Sequence, residues 1–160
     1  MENSVQTNEV FIEETFKASI DRVFRAWTDP QQLMKWYAPE GCTIRFKQLD
    51  IHTGGKFHSC ITHPTHGDCW CIGEYLEIVP NRKIVFTMIN ADENGQPVNP
   101  ADIGMDADWP GETVVTVTFA EEKGGTKLQL RQTVSQALAT KTGAYPSWLQ
   151  MLGKMKAMVE

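Results

Sequence analysis

Tyr145-Pro146-Ser147-Trp148-Leu149-Gln150-Met151-Leu152-Gly153-Lys154-Met155-Lys156-Ala157-Met158-Val159 is the segment around which this chain has to be built. Trp148, Leu152, Met155 and Val159 recur at helical spacing, and Met151 and Met158 widen the stripe, so one face of a helix is apolar throughout. Such a face has to be covered. Upstream runs such as Val115, Val117 and Phe119 alternate with polar residues and need a cover of their own. A curved sheet gripping a C-terminal helix satisfies both.

The chain has 160 residues, 41% of them hydrophobic and 22% charged, with a net charge of -5. That length suits one domain, 1–160, with a core that needs no covalent staples. The acidic balance and the lack of a Lys/Arg cluster point away from nucleic acid. The stretch Met1 to Glu9 is polar, without the basic start and apolar run of a secretory signal, and no apolar run approaches spanning length. A cytoplasmic protein without membrane insertion is expected, its four cysteines reduced.

Val10 to Phe16 alternates as a strand. Ser19 is placed to cap a helix carrying Val23, Phe24, Ala26 and Trp27, and Asp29-Pro30 ends it and opens a second short helix with Leu33, Met34 and Trp36. From Thr43 onward the pattern is strand and turn. Thr53-Gly54-Gly55, Pro80-Asn81-Arg82 and Glu122-Lys123-Gly124-Gly125 separate paired runs, giving six or seven strands. The segment between Asn90 and Glu112 holds three prolines and five acids and reads as a long loop. Loops of this length are lids or solvated excursions, and the second is the commoner for so polar a segment.

Centring each hairpin on its turn fixes which side chains face inward. Phe119 meets Leu128, Val117 meets Leu130 and Val115 meets Gln132; Ile78 meets Ile84, Leu76 meets Phe86 and Glu74 meets Met88; Ile61 meets Trp70 and Ser59 meets Ile72. A one-residue slip would turn every side chain of a strand over. The inner surface so obtained is apolar except for Glu74 and Gln132. An inward carboxylate is costly unless hydrated, hydrogen-bonded or protonated. Glu74 therefore marks either a hydrated or ligand-filled cavity or an open end where it reaches water.

Cys60, His63, His66, Cys69 and Cys71 form the densest set of metal-ligating residue types. The same register puts Cys60 opposite Cys71 on the outer face, where they would bridge under oxidising conditions. The spacing matches no zinc knuckle, and outer-face cysteines with turn histidines need no metal, so none is expected. No nucleophile elbow, phosphate loop or dinucleotide fingerprint occurs, and neither catalytic residues nor a cofactor are assigned.

Ala18-Ser19-Ile20-Asp21-Arg22-Val23-Phe24-Arg25-Ala26-Trp27-Thr28-Asp29-Pro30, followed by Leu33, Trp36 and Pro39-Glu40-Gly41, resembles the opening signature of the activator of heat-shock-protein ATPase homologues. That family lies within the START-like or SRPBCC superfamily, of Bet v 1-like fold. Asp50-Ile51-His52-Thr53-Gly54-Gly55 is similar to its Asp-x-Arg-x-Gly-Gly turn, with His52 in place of the arginine; Gly73, Glu77 to Pro80, Ile84 to Thr87, Trp148 and Leu152 also match. Met88 stands where an aromatic is common, and Gly143 with Pro146 interrupts the final helix, which should begin near Tyr145 after a looser Ser135 to Thr142. The resemblance implies an α+β helix-grip fold, two short helices after the first strand, and a cavity between sheet and helix.

The leading expectation is a small apolar, aromatic or lipid-like ligand held by Trp36, Phe57, Trp70, Glu74, Phe86, Met88, Val117, Gln132, Trp148 and Leu152, because an aromatic-rich interior with few polar groups is the usual make-up of a pocket. The resemblance also implies a chaperone-associated interaction module. A cyclase- or hydrolase-type enzyme with Glu74 as acid or base is the remaining class. Monomer and homodimer are both compatible with the sequence.

Overall fold

A computed structural model describes residues 9–160, so the polar opening lies, up to Asn8, outside the described residues. Strand β1 (Val10–Phe16) is followed by α1 (Ile20–Thr28) and α2 (Pro30–Trp36), then by β2 (Thr43–Leu49), β3 (Lys56–His63), β4 (Gly67–Val79), β5 (Lys83–Ala91), β6 (Glu112–Glu122) and β7 (Gly125–Gln132), and by α3 (Gln136–Thr142) and α4 (Ala144–Val159). The strands form one antiparallel sheet in the order β1-β7-β6-β5-β4-β3-β2. This is the helix-grip arrangement.

Local chemistry sets the boundaries. Ser19 Oγ accepts the Arg22 N–H at 3.2 Å and opens α1, and Asp29 Oδ1 accepts the Gln31 N–H at 3.0 Å and opens α2 at Pro30. Ser135 caps α3 in the same way through the Leu138 N–H, so the segment before the final break is a two-turn helix, more regular than expected. Gly143, at φ +92°, supplies the left-handed residue that ends α3, and α4 starts at the next residue.

The β6–β7 register is the expected one, with Phe119 opposite Leu128, Val117 opposite Leu130 and Val115 opposite Gln132. Strand β4 departs from it. Tyr75 faces Phe86 while Glu77 faces Val85, leaving Leu76 as the extra residue of a β-bulge. On the other side, His63 pairs with Gly67 across a three-residue turn, so Ser59 faces Cys71 and Cys60 faces Trp70. The stretch of β4 before Leu76 is therefore turned over: Cys71, Gly73 and Tyr75 point inward, Trp70, Ile72 and Glu74 point outward, and Leu76 is exposed.

Gly73 explains why the inverted strand fits. A Cβ there would lie 2.4 Å from the Phe57 ring and 2.0 Å from the Thr87 carbonyl oxygen, so the missing side chain leaves room for that ring. The Gly54-Gly55 turn continues the same ladder: the Gly54 N–H donates to the Tyr75 carbonyl at 2.7 Å, and the Tyr75 N–H donates to the Gly55 carbonyl at 2.8 Å. Gly55 is needed there because a Cβ would stand 1.9 Å from the Asp50 carbonyl oxygen.

Helix α4 lies across the inner face with Trp148, Met151, Leu152, Met155 and Val159 buried. The Trp148 ring stacks on Trp27 at 6.4 Å and meets Tyr37 edge-on at 6.0 Å; Trp27 meets Trp36 at 4.7 Å. The aromatic cluster thereby joins α1, α2 and α4. Gly73→Ala should lower stability by about 1–3 kcal/mol, the usual range for inserting an atom into a filled site. Urea unfolding checks this, and an unchanged midpoint would mean that Phe57 moves aside freely.

A candidate ligand cavity between sheet and helix

A cavity of about 350 Å³ opens where the sheet, the start of α4 and the β5–β6 loop meet. Its sheet wall comes from Ser59 and Ile61 on β3, Cys69 and Cys71 on β4, Met88 and Asn90 on β5, Thr113 on β6 and Gln132 on β7. Ala144, Ser147, Trp148 and Met151 form the helix wall, and Tyr37, after α2, forms the floor. Met105 and Trp109 reach in from the loop.

That loop contributes part of the cavity wall. Its acids are used locally, Asp92 Oδ1 accepting the Asn94 and Gln96 N–H groups and Asp106 Oδ1 accepting the Asp108 N–H, while Pro100–Ile103 form a 3₁₀ turn. Asp106 also pairs with Lys141 of α3 at 2.9 Å, fastening the loop beside the α3–α4 junction. A hydrogen bond from Lys141 first, then the Asp108 N–H, holds the Asp106 carboxyl below its ordinary range, and Asp106 in turn raises Lys141.

Gln132 is the polar centre of the interior and is 2% exposed. Its Oε1 accepts the Trp148 indole N–H at 2.9 Å, and its Nε2 donates to Thr113 Oγ1 at 3.0 Å. The amide is thus spent on joining sheet and helix. Burial first, with Cys69 adding, pushes the Cys71 thiol up to about 12. Burial first, with Cys71 and Tyr75 adding, raises the Tyr37 phenol well above its ordinary value. Both groups are neutral at physiological pH.

Of the residues expected from sequence, Met88, Gln132 and Trp148 line the cavity together. Phe57 and Phe86 border a much smaller space of about 10 Å³ behind Tyr37. Trp36, Val117 and Leu152 are packed in the core, with Trp36 Nε1–H donating to the Ala26 carbonyl at 2.9 Å. Glu74 is outward, opposite Lys56, which removes the carboxylate assigned to an inner acid or base. Trp70 lies on the outer face, against His58 at 5.1 Å and under Arg45 and Lys47, each 5.1 Å from its ring. Cys60 follows it outward while Cys71 lines the cavity, so the two cannot bridge across the strands. Among the described residues no three His, Cys, Asp or Glu side chains converge as a metal site, and no helix is long and apolar enough to cross a membrane.

Sequence reasoning missed Tyr37, Asn90, Met105, Trp109, Ser147 and Met151 as cavity residues. Trp109 carried a usable signal, an aromatic side chain alone in an acidic loop. Ser147 and Met151 depend on where α4 starts, and Tyr37, Asn90 and Met105 on the packing of segments distant in sequence.

A family model described as "Activator of Hsp90 ATPase homolog 1-like protein" matches residues 17–160. No curated protein sequence matches the chain. Among solved structures, a Chromobacterium violaceum protein is similar at 28% identity and a TM-score of 0.78, covering 96% of this chain and 97% of that one. An Arthrobacter aurescens protein aligns at 22% identity and a TM-score of 0.82, over 97% and 87% of the two chains. A Mycobacterium smegmatis protein aligns at 22% identity and a TM-score of 0.79, over 96% and 91%. The last two are likenesses of fold.

The Asp106 pKa is depressed in the folded chain, so the loop contact contributes above the ordinary carboxylate range and is lost as pH falls through the folded value. Protection of the Asp108 and Trp109 amides, taken relative to the intrinsic exchange rate at each pH, should therefore fall on acidification, and should already be lower at neutral pH in Lys141→Ala. Protection indifferent to both changes would mean that the loop is held by something else.

Proposed function

The chain belongs to the family of Activator of Hsp90 ATPase homolog 1-like proteins, and on that premise we propose that it binds a small apolar or aromatic molecule between its sheet and its last helix. One observation carries the reading. An interior otherwise close-packed around Trp36, Leu128, Leu130 and Met155 leaves about 350 Å³ beside Trp148, within the range of small-molecule pockets, roughly 300–1,000 Å³. The walls supply aromatic and thioether surface, and methionine sulfurs make favourable contacts to aromatic rings.

No acid, base or nucleophile is assigned here, since among the described residues the cavity walls carry no carboxylate and no imidazole, and Cys71 is held as the thiol. The ligand is held, not converted. The family description favours a second reading, an interaction module for a heat-shock chaperone. Adding the chain to an Hsp90-type chaperone and measuring ATP turnover decides that one: faster turnover supports it, and unchanged turnover at saturating chain rejects it.

For the binding reading, neutral fluorescent apolar probes should bind the wild-type chain. Ser147→Phe, which puts a ring where a hydroxymethyl group now lines the space, should weaken them at least about tenfold with little change in unfolding midpoint. Equal binding by wild type and Ser147→Phe would place the probe elsewhere and remove the support.

A further inference from the structure

Building on the ligand-binding reading of this cavity, we infer that its ligand is an uncharged aromatic molecule carrying a carbonyl group, and that the Tyr37 hydroxyl donates the hydrogen bond that recognises it. Among the described residues the lining contains no Asp, Glu, His, Lys or Arg. A ligand charge would be taken out of water with no partner to meet it, which is among the most expensive arrangements a protein interior offers.

Two features near the cavity might have answered an anion, and the structure neutralises both. Lys141, on the adjoining helix, is paired with Asp106 at 2.9 Å. The start of α4 lines the cavity through Ala144 and Ser147, but α3 ends at the same Gly143, so the carbonyl end of one helix meets the amide end of the next. Pro146, in the first turn of α4, also removes one of the amide donors found there.

The polar handle is the most deeply buried lining group left without a partner. Gln132 spends its amide on Trp148 and Thr113, Thr142 Oγ1 donates to the Ala139 carbonyl, and Ser59 Oγ leans on the Cys71 carbonyl at 3.5 Å. Tyr37 differs. It is 7% exposed, yet among the described residues its hydroxyl makes no hydrogen bond, and its oxygen is not one of the sealed buried polar atoms. It lies on the cavity floor near Cys71. A neutral phenol donates one hydrogen bond, and this one is not sealed off and has no protein acceptor among the described residues, so an acceptor on the ligand is the natural complement. Above it, Met88, Met105, Met151, Trp109 and Trp148 present the polarisable surface that suits a flat ring.

The test uses three probes that share one ring system: 2-acetylnaphthalene, 2-ethylnaphthalene and 2-naphthoate, titrated into the full chain and into Tyr37→Phe by calorimetry. The ketone should bind the wild type about five- to tenfold more tightly than the hydrocarbon, and the carboxylate roughly a hundredfold more weakly than the ketone. In Tyr37→Phe the ketone should fall to the level of the hydrocarbon, whose own affinity should stay within about twofold of wild type. If the carboxylate binds as well as the ketone, or if Tyr37→Phe leaves the ketone's advantage intact, this inference fails while the cavity remains a binding site. If none of the three binds, the binding reading fails and this inference with it.

Discussion

The hydrogen bond from the Trp148 indole N–H to Gln132 Oε1, at 2.9 Å, is the constraint on which the rest of the structure depends. Both residues are almost fully buried, and an indole can only donate, so the amide oxygen must face the helix and the amide nitrogen must face Thr113. One orientation of Gln132 therefore satisfies all three groups. Breaking it would strand a buried donor and acceptor at about 1–3 kcal/mol each, which fixes the height and rotation of α4 over the sheet. An apolar pair would glue the helix down equally well but would tolerate sliding.

The other elements take their places from that anchor. With Trp148 fixed, its ring presents one face to Trp27 and an edge to Tyr37, and Trp27 packs against Trp36, so the two short helices are held by ring-to-ring contact. The break at Gly143 and Pro146 starts α4 close to the Trp148 anchor, and α3 turns aside just before it. Space is left beside the anchor instead of another turn of helix, and the β5–β6 loop lines it with Met105 and Trp109. The cavity is thus a by-product of where one helix begins.

Much of this was legible in the sequence because it is local. The helix stripe, the Ser19 cap, the Asp29-Pro30 break and the β6–β7 hairpin with its short Lys123-Gly124 turn follow from residues a few positions apart, and the register that brought Gln132 inward was correct. Strand β4 was not legible. The bulge at Leu76 and the three-residue turn before Gly67 each shift β4 by one residue, one against β5 and the other against β3. The two errors agreed with each other, so consistency between hairpins gave no warning, and Glu74 and Trp70 were assigned to the wrong face. Both faces of Trp70 to Tyr75 are largely apolar, which leaves alternation unable to choose. Gly73 was the usable clue, since a glycine inside a strand signals close approach from a neighbour, here the Phe57 ring. Tyr37 and Met105 could not be assigned to the cavity from sequence at all, because their positions depend on the packing of distant segments.

Native-state hydrogen exchange of the Trp148 indole N–H, followed by NMR across a urea series, tests the central claim most directly. If this bond anchors the helix to the sheet, the proton is released only when the whole chain unfolds, and its exchange free energy equals that of global unfolding with the same dependence on urea. Exchange at a much lower free energy, nearly independent of urea, would mean that α4 lifts from the sheet while the strands stay folded, and would contradict the account.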